Sequence, residues 1–212
     1  MNDDPTVFVV DDDEAIRKSL RWLIESVDLK VQTFESAQDF LEAYDPDIPG
    51  CLVLDVRMKG MSGLDLQERL TQRDIRIPVI ILTGHGDVPM AVRAMKSGAV
   101  DFLQKPVSDQ ILLDHIQHAL QQDSRGRESR AEDMVIQKRV EQLTKREKQV
   151  MQHVVNGMSS KEIASELGVS FKTIEAHRAK IMKKMKAKSV PHLIRMSLSQ
   201  YDDRPAWPLN AR

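Results

Sequence analysis

Acidic, hydroxyl and ammonium side chains follow a series of short apolar runs in the first half of the sequence. They are Asp11, Asp12 and Asp13 after the first run, then Asp55, Thr83 and Lys105 after later runs. Carboxylates that are forced together repel each other, and a hard divalent cation such as Mg²⁺ relieves that repulsion while leaving positions for phosphate oxygens. A hydroxyl and an ammonium can bind the same phosphate, and one carboxylate can accept a phosphoryl group as a nucleophile. The set predicts phosphoryl chemistry at a cation site.

The acidic run by itself does not require that chemistry. Residues 11–13 could equally form a solvated turn at a helix N-terminus, where the helix dipole favours acidic side chains. Asp55 argues for a site, because its neighbours in the sequence are apolar: Leu52, Val53, Leu54 and Val56. A carboxylate in such a stretch is buried at a cost that function can explain.

The runs themselves predict the elements that position these residues. Apolar runs at 7–10, 31–34, 52–54, 79–82 and 102–103 alternate with segments whose apolar residues lie three and four apart. This pattern predicts a βαβαβαβαβα order and a doubly wound parallel sheet covered by helices on both faces. Because the carboxyl ends of parallel strands line one crevice, the polar residues are expected to converge there.

The charge of the chain changes sign between its two halves. Residues 1–123 contain 12 Lys and Arg against 22 Asp and Glu, whereas residues 124–212 contain 19 against 10. After residue 143 only helical patterns appear, with Thr144 and Glu147 spaced as a capping box, Ser159 or Ser160 and then Ser170 as further caps, and Gly168 at a tight turn. A basic, all-α helix-turn-helix domain is therefore predicted, and its commonest partner is nucleic acid.

Several classes of protein are excluded by composition. The 212 residues suffice for two domains, and 41% hydrophobic with 30% charged residues is a globular balance. No apolar run approaches the roughly 20 residues that span a bilayer, so we expect no membrane association and a cytoplasmic location. The single cysteine, Cys51, allows neither an internal disulfide nor a cysteine-based zinc site, and we interpret it as core filling.

Four segments of the first half resemble the receiver domain of two-component response regulators: VFVVDDDEAIRKSL, CLVLDVRMKGMSGLDL, VIILTGHGDVPMAVRAMKSGAVDF and LQKP. The resemblance implies a flavodoxin-like strand order 2-1-3-4-5 in a domain at residues 1–122. It implies that Asp55 is the phosphoacceptor and that Mg²⁺, or a similar ion such as Mn²⁺, is held by Asp11, Asp12, Asp55 and the main-chain carbonyl of Arg57. It also implies that Thr83 and Lys105 bind the phosphoryl group and that Thr83 and Phe102 form a switch, with Gly84 leaving room for the ring.

One departure from the family pattern lies beside the acceptor. The loop reads Met58, Lys59, Gly60, where the family usually has proline in the middle position. We expect a more flexible loop, and a lysine that influences phosphate lifetime or kinase docking. The acceptor itself is unaffected.

The second half resembles the LuxR-type helix-turn-helix domain through LTKREKQVMQHVVNGMSSKEIASELGVSFKTIEAHRAKIMKKMKAKSVPHLIRM, which places the whole chain in the FixJ/NarL class. The implied DNA-binding domain covers 143–198, after a partly helical linker at 123–142 and before a loose tail at 199–212. In the linker, Ile136, Val140 and Leu143 suggest either a seam for a partner helix or a solvated connector. The third helix would enter the major groove, and the expected DNA-binding residues are Lys161, Lys172, Thr173, Glu175, Ala176, His177, Arg178, Lys180, Lys183 and Lys184.

The combined resemblance implies a transcription factor that takes phosphate from a sensor histidine kinase and binds double-stranded DNA as a homodimer, with RNA polymerase as a further partner. It implies no turnover enzyme, only slow self-catalysed phosphoryl transfer and hydrolysis. Two alternatives stay open. Asp11 and Asp13 superficially match the DxD pair of haloacid dehalogenase-type phosphatases, although Ala15 stands where that motif has Thr or Val. The other is an architectural DNA-binding protein that does not respond to phosphate.

Overall fold

The computed structural model describes residues 4–84 and 86–198. The chain divides into two compact units between Arg127 and Glu128. The tail predicted at 199–212 lies outside the described residues. Within the described ranges no helix is both long enough and apolar enough to cross a membrane.

The first unit is built on a five-stranded parallel sheet. Its strands are β1 (Thr6–Val10), β2 (Lys30–Phe34), β3 (Gly50–Leu54), β4 (Val79–Thr83) and β5 (Asp101–Gln104), arranged β2-β1-β3-β4-β5. The predicted fold class and strand order are confirmed. Every residue of β1, β3 and β4 is buried, which explains their continuous apolar runs, whereas the two edge strands are only partly buried and carry mixed sequences.

Helices cover both faces of the sheet. Four of them are α1 (Glu14–Glu25), α2 (Ala37–Ala43), α3 (Gly63–Gln72) and α4 (Val88–Lys96), each with an Asp or Ser side chain accepting a main-chain N–H at its N-cap. Alternate residues of β1 point to opposite faces, so Phe8 joins the core under α2 and α3 while Val9 joins the core under α1. Cys51 is buried in the second of these cores, as expected.

The fifth helix is longer than the sequence pattern indicates. We expect a helix ending near Gln122 and a polar boundary at 124–133, but α5 runs without interruption over Asp109–Glu141. The polar segment contains no proline, and its three Arg, two Glu and one Ala favour a helix even where no apolar face is buried, against the weaker preference of Gly126 and two Ser. Low hydrophobic periodicity therefore marks an exposed stretch of helix in this segment and not its end.

The second unit is helical throughout its described part. It contains α6 (Lys145–Val155), α7 (Ser160–Glu166), α8 (Phe171–Met185) and α9 (Val190–Leu198). A capping box begins α6 at Thr144, as its spacing from Glu147 predicts, and α7 begins with a capping box at Ser159, one of the two serines predicted as its cap. Ile136 and Val140 of α5 pack against the core of this unit, and Leu143 belongs to it. These three residues thus pack within their own domain, Leu143 fully and the other two partly, which matches neither of the two alternatives, a seam for a partner helix or a solvated connector.

Candidate functional site

The carboxyl ends of the central strands bring a small set of side chains together. Lys105, which follows β5, donates from Nζ to Oδ2 of Asp11 at 2.7 Å and to Oδ1 of Asp55 at 3.2 Å. Asp11 follows β1 and Asp55 follows β3, and these strands are neighbours in the sheet. Thr83, the last residue of β4, is 1% exposed, and its carbonyl accepts the N–H of Lys105 at 2.8 Å. The sheet topology therefore produces the convergence that the sequence predicts.

Main-chain donors hold the second oxygen of each buried carboxylate. Oδ1 of Asp11 accepts the N–H of Asp13 at 2.9 Å, and Oδ2 of Asp55 accepts the N–H of Arg57 at 2.7 Å. Asp11 is 3% exposed and Asp55 is 8% exposed. Because each carboxylate is fixed by an ammonium on one side and the backbone on the other, its orientation is set before any ligand arrives.

Burial raises the pKa of Asp55 above its ordinary value, the ammonium of Lys105 opposes that shift, and the nearby charge of Asp11 adds to it. The ionised carboxylate of Asp55 is thus less well stabilised than it would be in water. A poorly solvated carboxylate oxygen beside an ammonium is a suitable nucleophile for a dianionic phosphate.

The three consecutive acids have three different environments. Asp13 caps α1, its Oδ1 accepting the N–H of Ala15 at 2.8 Å, so the helix-terminus interpretation is right for this residue. Asp12 is exposed, and its Oδ2 accepts the main-chain N–H of Lys59 at 3.3 Å. Only Asp11 lies in the buried set. The capping role of Asp13 argues against a DxD phosphatase pair, in which both acids serve the reaction.

The donor set suits one kind of cation. In the described part of the chain, no three His, Cys, Asp or Glu side chains form a group that could hold a metal by themselves. Mg²⁺ needs only one or two carboxylates and keeps several waters. The buried carboxylates of Asp11 and Asp55, with a main-chain carbonyl, fit an ion of that kind and do not form an all-protein cage.

The aromatic residue of the predicted switch lies next to a glycine, but not the one expected. Phe102 is half-buried, and a Cβ placed on Gly86 would lie 2.8 Å from Cε1 of its ring. A Cβ on Gly84 would meet no heavy atom within 4 Å. Gly86, and not Gly84, therefore leaves room for the ring, a distinction that depends on the course of a loop and that residue spacing does not reveal.

The helix α8 separates into a core face and an exposed basic face. Ile174, Ile181 and Met185 are buried, as their spacing predicts. The exposed predicted DNA-binding residues are Lys172, Thr173, Glu175, Ala176, Lys180 and Lys183, with Lys161 exposed on α7, while His177 and Arg178 are half-buried. The Nδ1 atom of His177 is buried, so only its other ring nitrogen is placed to reach a ligand.

One predicted DNA-binding residue also makes a structural contact. Lys184 donates from Nζ to Oε2 of Glu147 at 2.6 Å and to the carbonyl of Gln142 at 3.1 Å. Its ammonium joins α8 to α6 and to Gln142, the residue after α5, while the Lys184 side chain keeps an exposure of 34%. Sequence reasoning misses this pair because the partners are 37 residues apart.

Sequence reasoning also misses contacts that position α7 and α8, the helices predicted to bind DNA. The hydroxyl of Ser160 in α7 donates to Oε1 of Glu175. The same oxygen lies 3.9 Å from Nε of Arg178. Arg139 of α5 donates to the carbonyl of Met185 at 3.1 Å, at the end of α8. The orientation of Glu175 is therefore set by two neighbours: Arg178, whose i, i+3 spacing on the same helix is a local signal, and Ser160, whose contact no local signal predicts.

Comparison with known proteins gives two family matches. The family described as response regulator receiver domain matches residues 7–117, and the bacterial regulatory proteins of the luxR family match residues 141–197. Nodulation protein W of Bradyrhizobium diazoefficiens is 49% identical over 191 residues, covering 90% of this chain and 84% of that protein. The transcriptional regulatory protein FixJ of Azorhizobium caulinodans is 48% identical over 193 residues, or 91% of each chain. The solved structure of the response regulator StyR matches with a TM-score of 0.79 and 46% identity, covering 92% of this chain and 98% of that one.

Proposed function

Because this chain belongs to the FixJ-type response regulators, in which a receiver domain precedes a LuxR-type DNA-binding domain and the protein regulates transcription, we propose that phosphorylation of Asp55 controls its binding to DNA. The family implies a histidine kinase as the phosphate source. The observation that carries the assignment is the buried carboxylate of Asp55, whose Oδ1 lies 3.2 Å from the ammonium of Lys105.

The other residues of the site have roles that follow from the same geometry. Asp11, Asp12, Asp55 and the main-chain carbonyl of Arg57 would hold Mg²⁺ or Mn²⁺, and a bound ion would neutralise the carboxylates and orient phosphate oxygens. Lys105 keeps an ammonium beside the acceptor oxygen, where it stabilises the arriving negative charge. The hydroxyl of Thr83 binds the phosphoryl group, and Thr83 and Phe102 together transmit its presence. The phosphoryl group then leaves by slow self-catalysed hydrolysis.

The basic face of α8 is the proposed DNA interface. Its exposed lysines and the half-buried Arg178 and His177 contact phosphates, while Thr173, Glu175 and Ala176 near the start of the helix contact base edges. The phosphorylated protein acts in the cytoplasm as a homodimer on paired half-sites, with RNA polymerase as a further partner. Exposure of these side chains supports the proposal.

Phosphoryl uptake tests the assignment. Incubated with labelled acetyl phosphate and Mg²⁺, the wild-type chain is expected to take up about one phosphoryl group. Asp55→Asn should take up none and remain folded, since the amide keeps the shape but loses the nucleophilic oxygen. Asp13→Asn is the matched control, because asparagine still caps α1 and labelling should be normal.

Three outcomes would count against the proposal. Label on Asp55→Asn would reject the acceptor. Steady turnover of a phosphomonoester that is lost in Asp13→Asn would favour the phosphatase alternative. Equal affinity of the wild-type chain for DNA with and without acetyl phosphate would favour an architectural protein whose DNA binding ignores phosphate.

Two substitutions on α8 should separate affinity from specificity. Lys183→Ala is expected to weaken binding to every DNA sequence and to reduce the salt dependence by about one charge. Glu175→Gln should change which sequence is preferred, because an amide no longer offers a carboxylate to the cytosine amino group. Binding isotherms on specific and random DNA at two salt concentrations test these two expectations. Equal losses of affinity on both DNAs for both variants would contradict the separation of affinity from specificity.

A further inference from the structure

The loop after β3 reaches across the site to the loop after β1. The main-chain N–H of Lys59 donates to Oδ2 of Asp12 at 3.3 Å. Lys59 and Asp12 are both exposed, in contrast to the buried Asp11 and Asp55. The bond therefore involves the one acid of the proposed cation site that is not already fixed by Lys105.

This contact depends on the departure in the loop sequence. Proline has no main-chain N–H, so the residue usual in the family at this position could not make the bond. Any other residue could, because the donor belongs to the backbone. The lysine side chain adds a second, separable feature, a positive charge close to the site.

The position of Asp12 has a consequence for cation binding. Asp12 does not join Asp11 and Asp55 in a group of three acids arranged to hold a metal anywhere in the described ranges. The hydrogen bond leaves the other lone pairs of the Asp12 carboxylate free, but it holds the carboxylate in its present rotation, so Asp12 must break or share the bond to turn toward a cation at Asp11 and Asp55.

We propose that the main-chain N–H of Lys59 restrains Asp12 and thereby lowers the affinity of the site for divalent cations. Lys59 is a positioning residue, acting through Asp12 and not by contact with the phosphoryl group. The inference rests on the proposed function, since it takes Asp12 as part of the cation site. The lysine charge lowers the affinity further by repulsion.

Mn²⁺ titrations of the full chain, followed by electron paramagnetic resonance, test the inference. Lys59→Pro removes both the N–H and the charge, whereas the matched variant Lys59→Ala removes only the charge. We expect Lys59→Pro to bind Mn²⁺ roughly 3- to 10-fold more tightly than Lys59→Ala, the range expected for one exposed hydrogen bond. Lys59→Ala should itself bind slightly more tightly than wild type.

Lys59→Pro and Lys59→Ala, made in an Asp12→Ala background, test whether the effect depends on the hydrogen bond to Asp12. There the difference between proline and alanine at position 59 should disappear. A difference that persists would mean that proline acts through the loop backbone, and equal affinities of the two variants with Asp12 intact would mean that the N–H restrains nothing. Either result overturns the inference and leaves the proposed cation site standing. Failure of the wild-type chain and all variants to bind Mn²⁺ would reject the site itself.

A measurement on the wild-type chain tests the inference even if the Lys59→Pro variant misfolds. As Mg²⁺ is added to the ¹⁵N-labelled wild-type chain, the amide proton of Lys59 should move upfield and exchange faster with solvent, because its acceptor is withdrawn. An amide signal of Lys59 that stays in place while neighbouring signals report saturation would overturn the inference equally.

Discussion

Arg127→Ala is expected to lower the free energy of unfolding of the first compact unit by about 3 to 5 kcal/mol. Arg127 Nε donates to Oδ2 of Asp123 at 2.7 Å, and the same oxygen accepts the N–H of Gly50 at 2.9 Å. Asp123 is 3% exposed, so water does little to compensate its charge. Removing the guanidinium therefore takes a charged donor away from a buried carboxylate, which costs more than the loss of an exposed ion pair.

The same guanidinium also ties α5 to the chain that leads into β3. Its Nη2 donates to the carbonyls of Pro46 at 2.9 Å and Ile48 at 2.8 Å, and its Nη1 donates to the carbonyl of Asp47 at 3.3 Å. The Arg127–Asp123 pair thus joins a helix, a strand and the preceding loop. Lysine would keep the charge but could not reach all three carbonyls in this geometry, so Arg127→Lys should recover only part of the stability.

Native-state hydrogen exchange of peptides from β3 measures this loss in the full chain. Arg125→Ala is the matched control, because it removes the same charge from an exposed position on the same helix, and we expect a change below about 0.5 kcal/mol. The double variant Asp123→Asn/Arg127→Ala should be more stable than Arg127→Ala alone, since the amide still accepts from Gly50 and carries no charge. Equal effects of Arg125→Ala and Arg127→Ala would show that the buried pair contributes nothing.

Glu147→Gln is expected to destabilise the second unit at neutral pH by about 2 kcal/mol, a figure reduced because Lys184 keeps a side-chain exposure of 34%. The hydrogen bond from Lys184, with that from the N–H of Thr144, lowers the pKa of Glu147 from 4.5 to about 2. The ionised carboxylate is therefore favoured in the folded state.

The pH dependence follows from the direction of that shift. A carboxyl whose pKa is lower in the folded state stabilises the fold fully above its unfolded pKa of 4.5 and loses that contribution as the pH falls toward about 2. The stability difference between the wild-type chain and Glu147→Gln should therefore be constant above about pH 5.5 and shrink below pH 4.5. Hydrogen exchange of peptides from α6 and α8 at several pH values gives this difference directly. A difference that does not change with pH would mean that Glu147 is not ionised in the pair.

Local patterns are sufficient for most of the fold. Apolar runs locate β1, β3 and β4 because central strands of a parallel sheet are buried on both faces, while the weaker runs at 31–34 and 102–103 locate the partly buried edge strands. The capping box at Thr144 is predicted from spacing alone, since it is an interaction within four residues, whereas the choice of Ser159 over Ser160 as the cap of α7 is made by the structure. The extent of α5 is not predicted, because an exposed helix carries no apolar stripe by which to recognise it.

The convergence of Asp11, Asp55, Thr83 and Lys105 could also be predicted, because each follows or ends a strand. The strand order and the parallel direction place these strand ends at one edge of the sheet. What the sequence determines by itself, then, is the topology and the residue types at one edge of the sheet. The sequence does not determine the separate roles of the three adjacent acids. Asp11 is buried, Asp12 accepts the main-chain N–H of Lys59, and Asp13 caps α1.

Only the tertiary structure decides such assignments between residues of the same type. Lys183 is exposed while the adjacent Lys184 is engaged with Glu147, and Gly86 rather than Gly84 makes room for Phe102. In each case the candidates are chemically equivalent in the sequence and close together along it. They differ because a helix turns by about 100° per residue and a loop can place successive residues in different surroundings, so their partners come from elements that are distant in the chain.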